Sequence, residues 1–199
     1  MYVIGLTGGI ATGKSTASAT MKEYIPHIWD ADLAARLVVE QGEPGSDAIR
    51  LAFGDQFFDK GKLDRRLLAE HVFGNEELLV KLNRTLHPII LNHMSLTLQK
   101  WDAEGVKLAV VDAPLLFESG ASPVCDEIWT MSCGEDEQIR RVIARDSISP
   151  EEAEARVASQ LTDGERRRRS SRVIDSSGDE KETQKFIRIL CEELLEENG

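Results

Sequence analysis

The sequence predicts an α/β fold, a five-stranded parallel sheet with helices on both faces and a helical lobe inserted after the second strand. Three observations carry this. Short apolar runs near Tyr2–Leu6, His27–Asp30, Lys107–Asp112, Glu127–Met131 and Arg172–Asp175 read as strands. Helical periodicity separates most of them, which requires right-handed crossovers between parallel strands covered on both faces. Between the second and third strands, residues 33–106 carry helix signals, a long excursion that reads as an inserted lobe.

Each element has a local reason. The first strand is apolar but lacks the basic leader and cleavage site of a signal peptide and runs straight into glycines, so it reads as a buried strand. A helix over Ser15–Glu23 follows, with Ala17, Met21 and Tyr24 at helical spacing. The second strand ends in Asp30-Ala31-Asp32. Within the lobe, a helix over Ala34–Glu40 stops before Gly42 and Pro44, and Asp64 is placed to cap a helix over Arg65–Phe73. Pro88 is placed to start a run through Trp101, with Gly105 after its end. Past the third strand, a helix over Glu135–Arg145 is followed by Ser149-Pro150-Glu151-Glu152, a capping box with proline at the first helical position. Thr162 and Glu165 repeat the box more weakly, and the terminal helix offers Phe186, Ile189, Leu190 and Leu194 as its apolar face.

The 199 residues suffice for one substantial core, burying about 70% of the surface that the unfolded chain exposes. With 24 basic against 35 acidic residues the formal charge is −11, which argues against a general nucleic-acid binder. No apolar run approaches the roughly 20 residues that cross a bilayer, so no membrane association is expected. Cys125, Cys133 and Cys191 form neither a disulfide framework nor a metal-spaced pair, and the four histidines show no H-x-x-x-H spacing. A reducing cytoplasm is the expected compartment.

The chemistry concentrates at Gly8-Gly9-Ile10-Ala11-Thr12-Gly13-Lys14-Ser15, a match to G-x-x-x-x-G-K-[ST] between a predicted strand and a predicted helix. Glycines let the backbone curl with its N–H groups inward, and the helix adds its orphan donors and positive dipole end. A polyphosphate fits such a nest. Gly8, Gly9, Ile10, Ala11, Thr12, Gly13, Lys14, Ser15 and Thr16 are therefore the candidate ATP-binding residues, with Lys14 reaching the β and γ phosphates. The Ser15 hydroxyl, and Asp112 at the end of the Leu108–Asp112 strand, are the candidate Mg²⁺ ligands. The N-K-x-D base motif of GTPases is absent. Asp30 and Asp32 end a strand at the carboxyl edge, where one could accept a proton from a hydroxyl nucleophile, or either could simply cap a helix.

Residues 135–172 hold nine basic residues, all arginine, and nine acids. Arginine's planar fork suits phosphate, and a closing lid could bring one to a transferring phosphoryl group. Arg166–Arg169 read equally as a solvated helix face; Arg140, on the helix just after a core strand, is the candidate transition-state cation.

Taken in order, these residues resemble the dephospho-CoA kinase family. The resemblance extends through Asp30-Ala31-Asp32 with Arg36, Gly61-Lys62-Leu63-Asp64-Arg65, His87-Pro88, Asp112-Ala113-Pro114-Leu115-Leu116-Phe117-Glu118, Gln138 with Arg140 and Arg141, Arg145-Asp146, and Gln160. It implies a P-loop kinase three-layer fold whose nucleotide-binding core is residues 1–32, 105–140 and 170–199. Residues 33–104 would form the CoA-binding lobe and 141–169 the lid. It further implies γ-phosphoryl transfer from Mg-ATP to the ribose 3′-hydroxyl of dephospho-CoA, with Asp32 as general base and Arg140 as the lid arginine. The sequence does not fix the oligomeric state, and a monomer is the working expectation. Asp32, Arg36, His87, Leu115, Phe117 and Glu118 would line the acceptor site, although core packing explains His87 equally well.

Departures from the family are Ser170-Ser171 near the last strand, Ser176-Ser177-Gly178 after it, and Ala11-Thr12 in the loop, where alanine requires a negative φ. Two other readings of the residues stay open: a nucleoside or small-metabolite kinase of the same fold, and a nucleotide-binding regulator without transferase activity.

Overall fold

A strand buried on both faces must be almost wholly apolar, and Tyr2–Gly8 meets that condition from Val3 onward. The computed structural model describes residues 1–72 and 74–198. The chain runs β1 (Tyr2–Gly8), α1 (Lys14–Lys22), β2 (Ile28–Asp30), α2 (Ala31–Leu37), α3 (Pro44–Phe53), β3 (Phe58–Asp59), β4 (Lys62–Leu63), α4 (Arg65–Val72) and α5 (Glu76–Ala103). It continues through β5 (Leu108–Asp112), β6 (Glu127–Ser132), α6 (Glu135–Asp146), α7 (Pro150–Ala158), α8 (Asp163–Arg169), β7 (Arg172–Asp175) and α9 (Glu180–Asn198).

Five of the strands form one sheet in the order β2-β5-β1-β6-β7. This is the five-stranded parallel sheet that the sequence predicts. In the centre β1 pairs in parallel with β5, from Tyr2 opposite Leu108 to Leu6 opposite Asp112, and with β6, from Ile4 opposite Glu127 to Gly8 opposite Met131. The carboxyl ends of β1 and β5 therefore lie level, and ligands of open α/β sheets bind at that edge.

The chain divides into two compact units, one of Met1–Trp29 with the chain from Trp101 on, the other Asp30–Lys100. In the first, Ile4, Leu6, Val110, Trp129, Met131 and Ile174 from the sheet meet Ala17 and Met21 of α1 and Ile187, Leu190, Cys191 and Leu194 of α9. Each fully buried Leu, Ile or Met stabilises the fold by about 1.5–3 kcal/mol. The face that α9 buries corrects the sequence reading. Leu190 and Leu194 are inside as expected, but Phe186 and Ile189 are 46% and 42% exposed, and Ile187 and Cys191 take their places. Both stripes obey helical spacing; the sheet's side chains choose between them.

The second unit has its own core of Val38, Val39, Ile49, Phe57, Leu63, Leu68 and Val72, with Leu78, Leu82, Leu86, Ile89 and Ile90 of α5 packed against it. Pro88 lies inside α5 rather than at its start, because apolar side chains on both sides of it pack on this core. An interior proline costs about 3 kcal/mol, which that burial offsets. β3 and β4 form an antiparallel hairpin within a stretch that read as helical. Its turn residues Lys60 and Gly61 both have positive φ, the geometry of a two-residue type I′ turn. The helix expected over Ala34–Glu40 begins instead at Ala31, because the Asp30 carboxylate accepts the Leu33 N–H at 2.9 Å as its cap. Asp64 caps α4 in the same way, accepting from Leu67 N at 3.0 Å, while the expected end at Phe73 lies outside the described residues. Among the described residues no helix is long and apolar enough to cross a membrane.

Burial pushes the Cys125 and Cys191 thiols up to about 12. A folded thiol above its ordinary value of 9.0 is neutral where the unfolded chain already ionises. Stability is then fully present below pH 9.0 and falls as pH rises toward about 12. At pH 8 these two cysteines should react with a disulfide reagent at least about tenfold more slowly in native protein than in guanidinium chloride; equal rates would contradict the burial.

Candidate active site at the phosphate loop

Between β1 and α1 the backbone turns back on itself through Gly9–Gly13. Thr12 fastens the turn, donating to the Gly9 carbonyl through its hydroxyl at 2.8 Å and through its N–H at 3.3 Å. The curl is so tight that a Cβ on Gly8 would lie 2.5 Å from Thr12 Oγ1, and one on Gly9 would lie 2.7 Å from Gln138 Nε2. Gly13 is the N-cap of α1 at φ +83°, and no side chain caps that helix. Its first amide donors thus suit a phosphate, as the nest requires. Ala11 is a correction: its φ is +59°, in the left-handed region, not the negative value that alanine was expected to need.

The Lys14 ammonium donates to Asp112 Oδ1 at 2.6 Å, with Asp112 almost fully buried at the end of β5. The β1–β5 register that sets Leu6 opposite Asp112 brings them together. Ser15 is exposed in the first turn of α1. Its hydroxyl and the Asp112 carboxylate are hard oxygen donors of the kind Mg²⁺ takes, and a bound phosphate would supply further oxygens.

Three side chains from later in the chain close around the loop. Ser176, buried after β7, lies with its hydroxyl 2.7 Å from the Thr12 carbonyl and 3.2 Å from that of Ser132. Arg141 of α6 donates through Nη2 to Ser176 O at 2.6 Å and through Nη1 to Ala11 O at 3.4 Å. Gln160, between α7 and α8, accepts the Ile10 N–H at 2.8 Å. Arg140 points elsewhere: its side chain is 70% exposed and forks onto Glu137 at 2.6 and 2.7 Å. Glu137 also takes Arg141 Nε at 2.6 Å, and the hydrogen bonds from Arg140 and Arg141 hold its carboxyl down to about 2. The two arginines differ in helix phase. Gln138 and Val142 are the buried residues of α6, and Arg141 shares their side whereas Arg140 does not.

Of the expected acceptor residues, Phe117 is buried with the Arg169 guanidinium 4.4 Å over its ring, and Glu118 accepts from Arg166 Nη2 at 3.0 Å. Leu115 is 42% exposed. Asp32 and Arg36, one turn apart on α2, are both exposed, and Arg36 O accepts from Arg65 Nη2 at 2.7 Å. His87 is half-buried on α5. Arg166 is 2% exposed, not part of a solvated face, and burial pushes its guanidinium below the ordinary arginine value against the opposing pull of Glu118. Gln160 and Ser176 enter the sequence reading only through the family resemblance and its departures; no local pattern signals their contacts, which join segments 150 and 164 residues apart.

The dephospho-CoA kinase family model matches residues 2–182. The chain belongs to the dephospho-CoA kinase family. A dephospho-CoA kinase of Staphylococcus haemolyticus is 39% identical over 99% of this chain and 96% of its own length. One from Staphylococcus aureus is 38% identical over 99% and 93%. Among solved structures, a Thermus thermophilus protein superposes with a TM-score of 0.77 at 31% identity, covering 100% of this chain and 98% of its own. The fold alone is shared with dephospho-CoA kinase from Campylobacter jejuni, TM-score 0.65 at 23% identity, covering 99% and 97%.

Within this family the serine departures have structural uses here. Ser170 Oγ lies 2.5 Å from Thr130 Oγ1 and donates to Arg166 O at 2.7 Å, while Ser171 Oγ accepts the Ile128 N–H at 3.0 Å. They tie the end of α8 to β6. The left-handed Ala11 gives a prediction. Ala11→Gly should stabilise the protein by about 1 kcal/mol, raising Tm by about 2–4 °C for a chain of this size; a lower Tm in a thermal melt would show that the strain is not there.

Proposed function

We propose that this protein phosphorylates the ribose 3′-hydroxyl of dephospho-CoA with Mg-ATP, yielding CoA and ADP. The observation that carries the reading is the Lys14–Asp112 pair at the mouth of an uncapped helix, in a chain of this family. The loop amides and Lys14 hold the β and γ phosphates, and Ser15 with Asp112 holds the cation. Mg²⁺ neutralises charge on the phosphate oxygens when bound.

Asp32 accepts the proton of the attacking hydroxyl. Asp32 is favoured over Asp30 because the Asp30 carboxylate already accepts the Leu33 N–H as the α2 cap, while Asp32 is exposed one residue into the helix. For the cation that meets the transferring charge we favour Arg141 over Arg140. The guanidinium of Arg141 lies on the Ala11 carbonyl, and Arg140 is solvent-facing on Glu137. Arg36, His87, Leu115, Phe117 and Glu118 remain in the proposal as acceptor-site residues, with Phe117 and Glu118 held by Arg169 and Arg166 of α8. The free thiols of Cys125, Cys133 and Cys191 support a cytoplasmic setting, and we take the monomer as the working unit.

The direct test is mass-spectrometric detection of CoA from purified protein, Mg-ATP and dephospho-CoA, with Lys14→Met as the control for contaminating kinase. CoA from wild type alone is the expected result; ATP binding without CoA would remove the acceptor assignment. Asp32→Asn should lower kcat about 10²-fold or more with the melt unchanged, and near-normal turnover would take Asp32 out of the mechanism. Arg141→Ala should lower kcat/KM by at least about 10-fold more than Arg140→Ala. The reverse order in steady-state kinetics would return the assignment to Arg140.

A further inference from the structure

Ile10 is the third residue of the loop motif, and its N–H is held by a side chain 150 residues away in sequence, through the 2.8 Å bond to Gln160 Oε1. A peptide group in so tight a curl needs a partner of fixed position, or the peptide can rotate and take its neighbours with it. Gln160 has that fixed position because the segment beside it is anchored on its other side. Glu118 Oε1 accepts both the Leu161 N–H, at 3.3 Å, and Arg166 Nη2, at 3.0 Å, and Arg166 Nη1 donates to Leu161 O. A Cβ on Gly9 would lie 3.5 Å from that same Nη1, so the buried guanidinium backs the loop as well. Residues 160–166 are thus fastened to the phosphate loop at one end and to the turn after β5 at the other.

We infer that Gln160 is a positioning residue for ATP: by holding the Ile10 peptide against an anchored segment, it sets the first turn of the loop and with it the aim of the phosphate-binding amides. The inference rests on the reading of this loop as the ATP site. A neutral amide suits the position, since a carboxylate there would accept the same N–H but place negative charge beside a polyphosphate.

Two variants separate this role from simple packing. Gln160→Met keeps the length and removes the acceptor; Gln160→Glu keeps the acceptor and adds charge. Calorimetric Kd for a non-hydrolysable ATP analogue should rise about 5–10-fold in Gln160→Met. The KM for dephospho-CoA should stay within about twofold of wild type, since the bond holds the phosphate loop, read here as the ATP site. In Gln160→Glu the analogue's Kd should also rise, and that rise should shrink as salt is added, because screening acts on charge and not on the hydrogen bond. A wild-type Kd in Gln160→Met overturns the inference. So does an equal loss for both substrates accompanied by a large fall in Tm, which would mark a packing role. Lys14→Met distinguishes the two levels: analogue binding unchanged in that variant would sink the ATP-site reading itself, whereas binding lost there and unchanged in Gln160→Met would sink only the role of Gln160.

Discussion

Parallel pairing of β1 with β5 leaves no freedom in where Asp112 lies once Leu6 is placed, and the site depends on that register. Three residues after Leu6 the chain enters the glycine turn, and eight after it comes Lys14, whose ammonium the buried Asp112 carboxylate receives at 2.6 Å. A slip of one residue would turn Asp112 to the other face of the sheet, leaving a buried carboxylate without its cation. The apolar strand interiors prevent the slip, because Val110 and Leu6 could not then reach the core they share. The hydrophobic pattern of two strands therefore holds a pair of charges in place.

The arginines are organised by pairing. Glu137 receives Arg140 and Arg141, Asp146 receives Arg145 and Arg156, and Asp163 and Glu165 receive Arg167 and Arg168. Most of these pairs are exposed, and such pairs contribute about 0–1 kcal/mol each. Their main effect is to hold α6, α7 and α8 in conformation with almost no net charge to repel a polyphosphate or attract nucleic acid. Arg166 with Glu118 differs, being buried on the arginine side. Removing one partner of a buried pair typically costs about 3–5 kcal/mol, and here the loss would fall on the segment that carries Gln160.

Elements with strong local signals were legible in the sequence. The Ser149 capping box before α7 is present with both reciprocal bonds, and Thr162 caps α8 through the Glu165 N–H. Strand signals located all five members of the sheet. The failures share a cause. Pro88, the β3–β4 hairpin and the buried face of α9 were each decided by packing against residues distant in sequence, which overrides local propensity. Ala11 belongs to the same group, since Arg141 on its carbonyl and the Thr12 N–H on the Gly9 carbonyl hold its peptide where alanine alone would not go.

By itself the sequence determined the five strands of the main sheet, the phosphate loop, the candidate base and cation ligands, and the family resemblance. Those follow from periodicity, caps and a motif, all of which act over a few residues. Tertiary structure alone decided which arginine faces the loop, that Ser176 and Gln160 close around it, and that Arg166 is buried. Such contacts join segments up to 164 residues apart, and their energies exist only after the sheet has brought those segments to one edge.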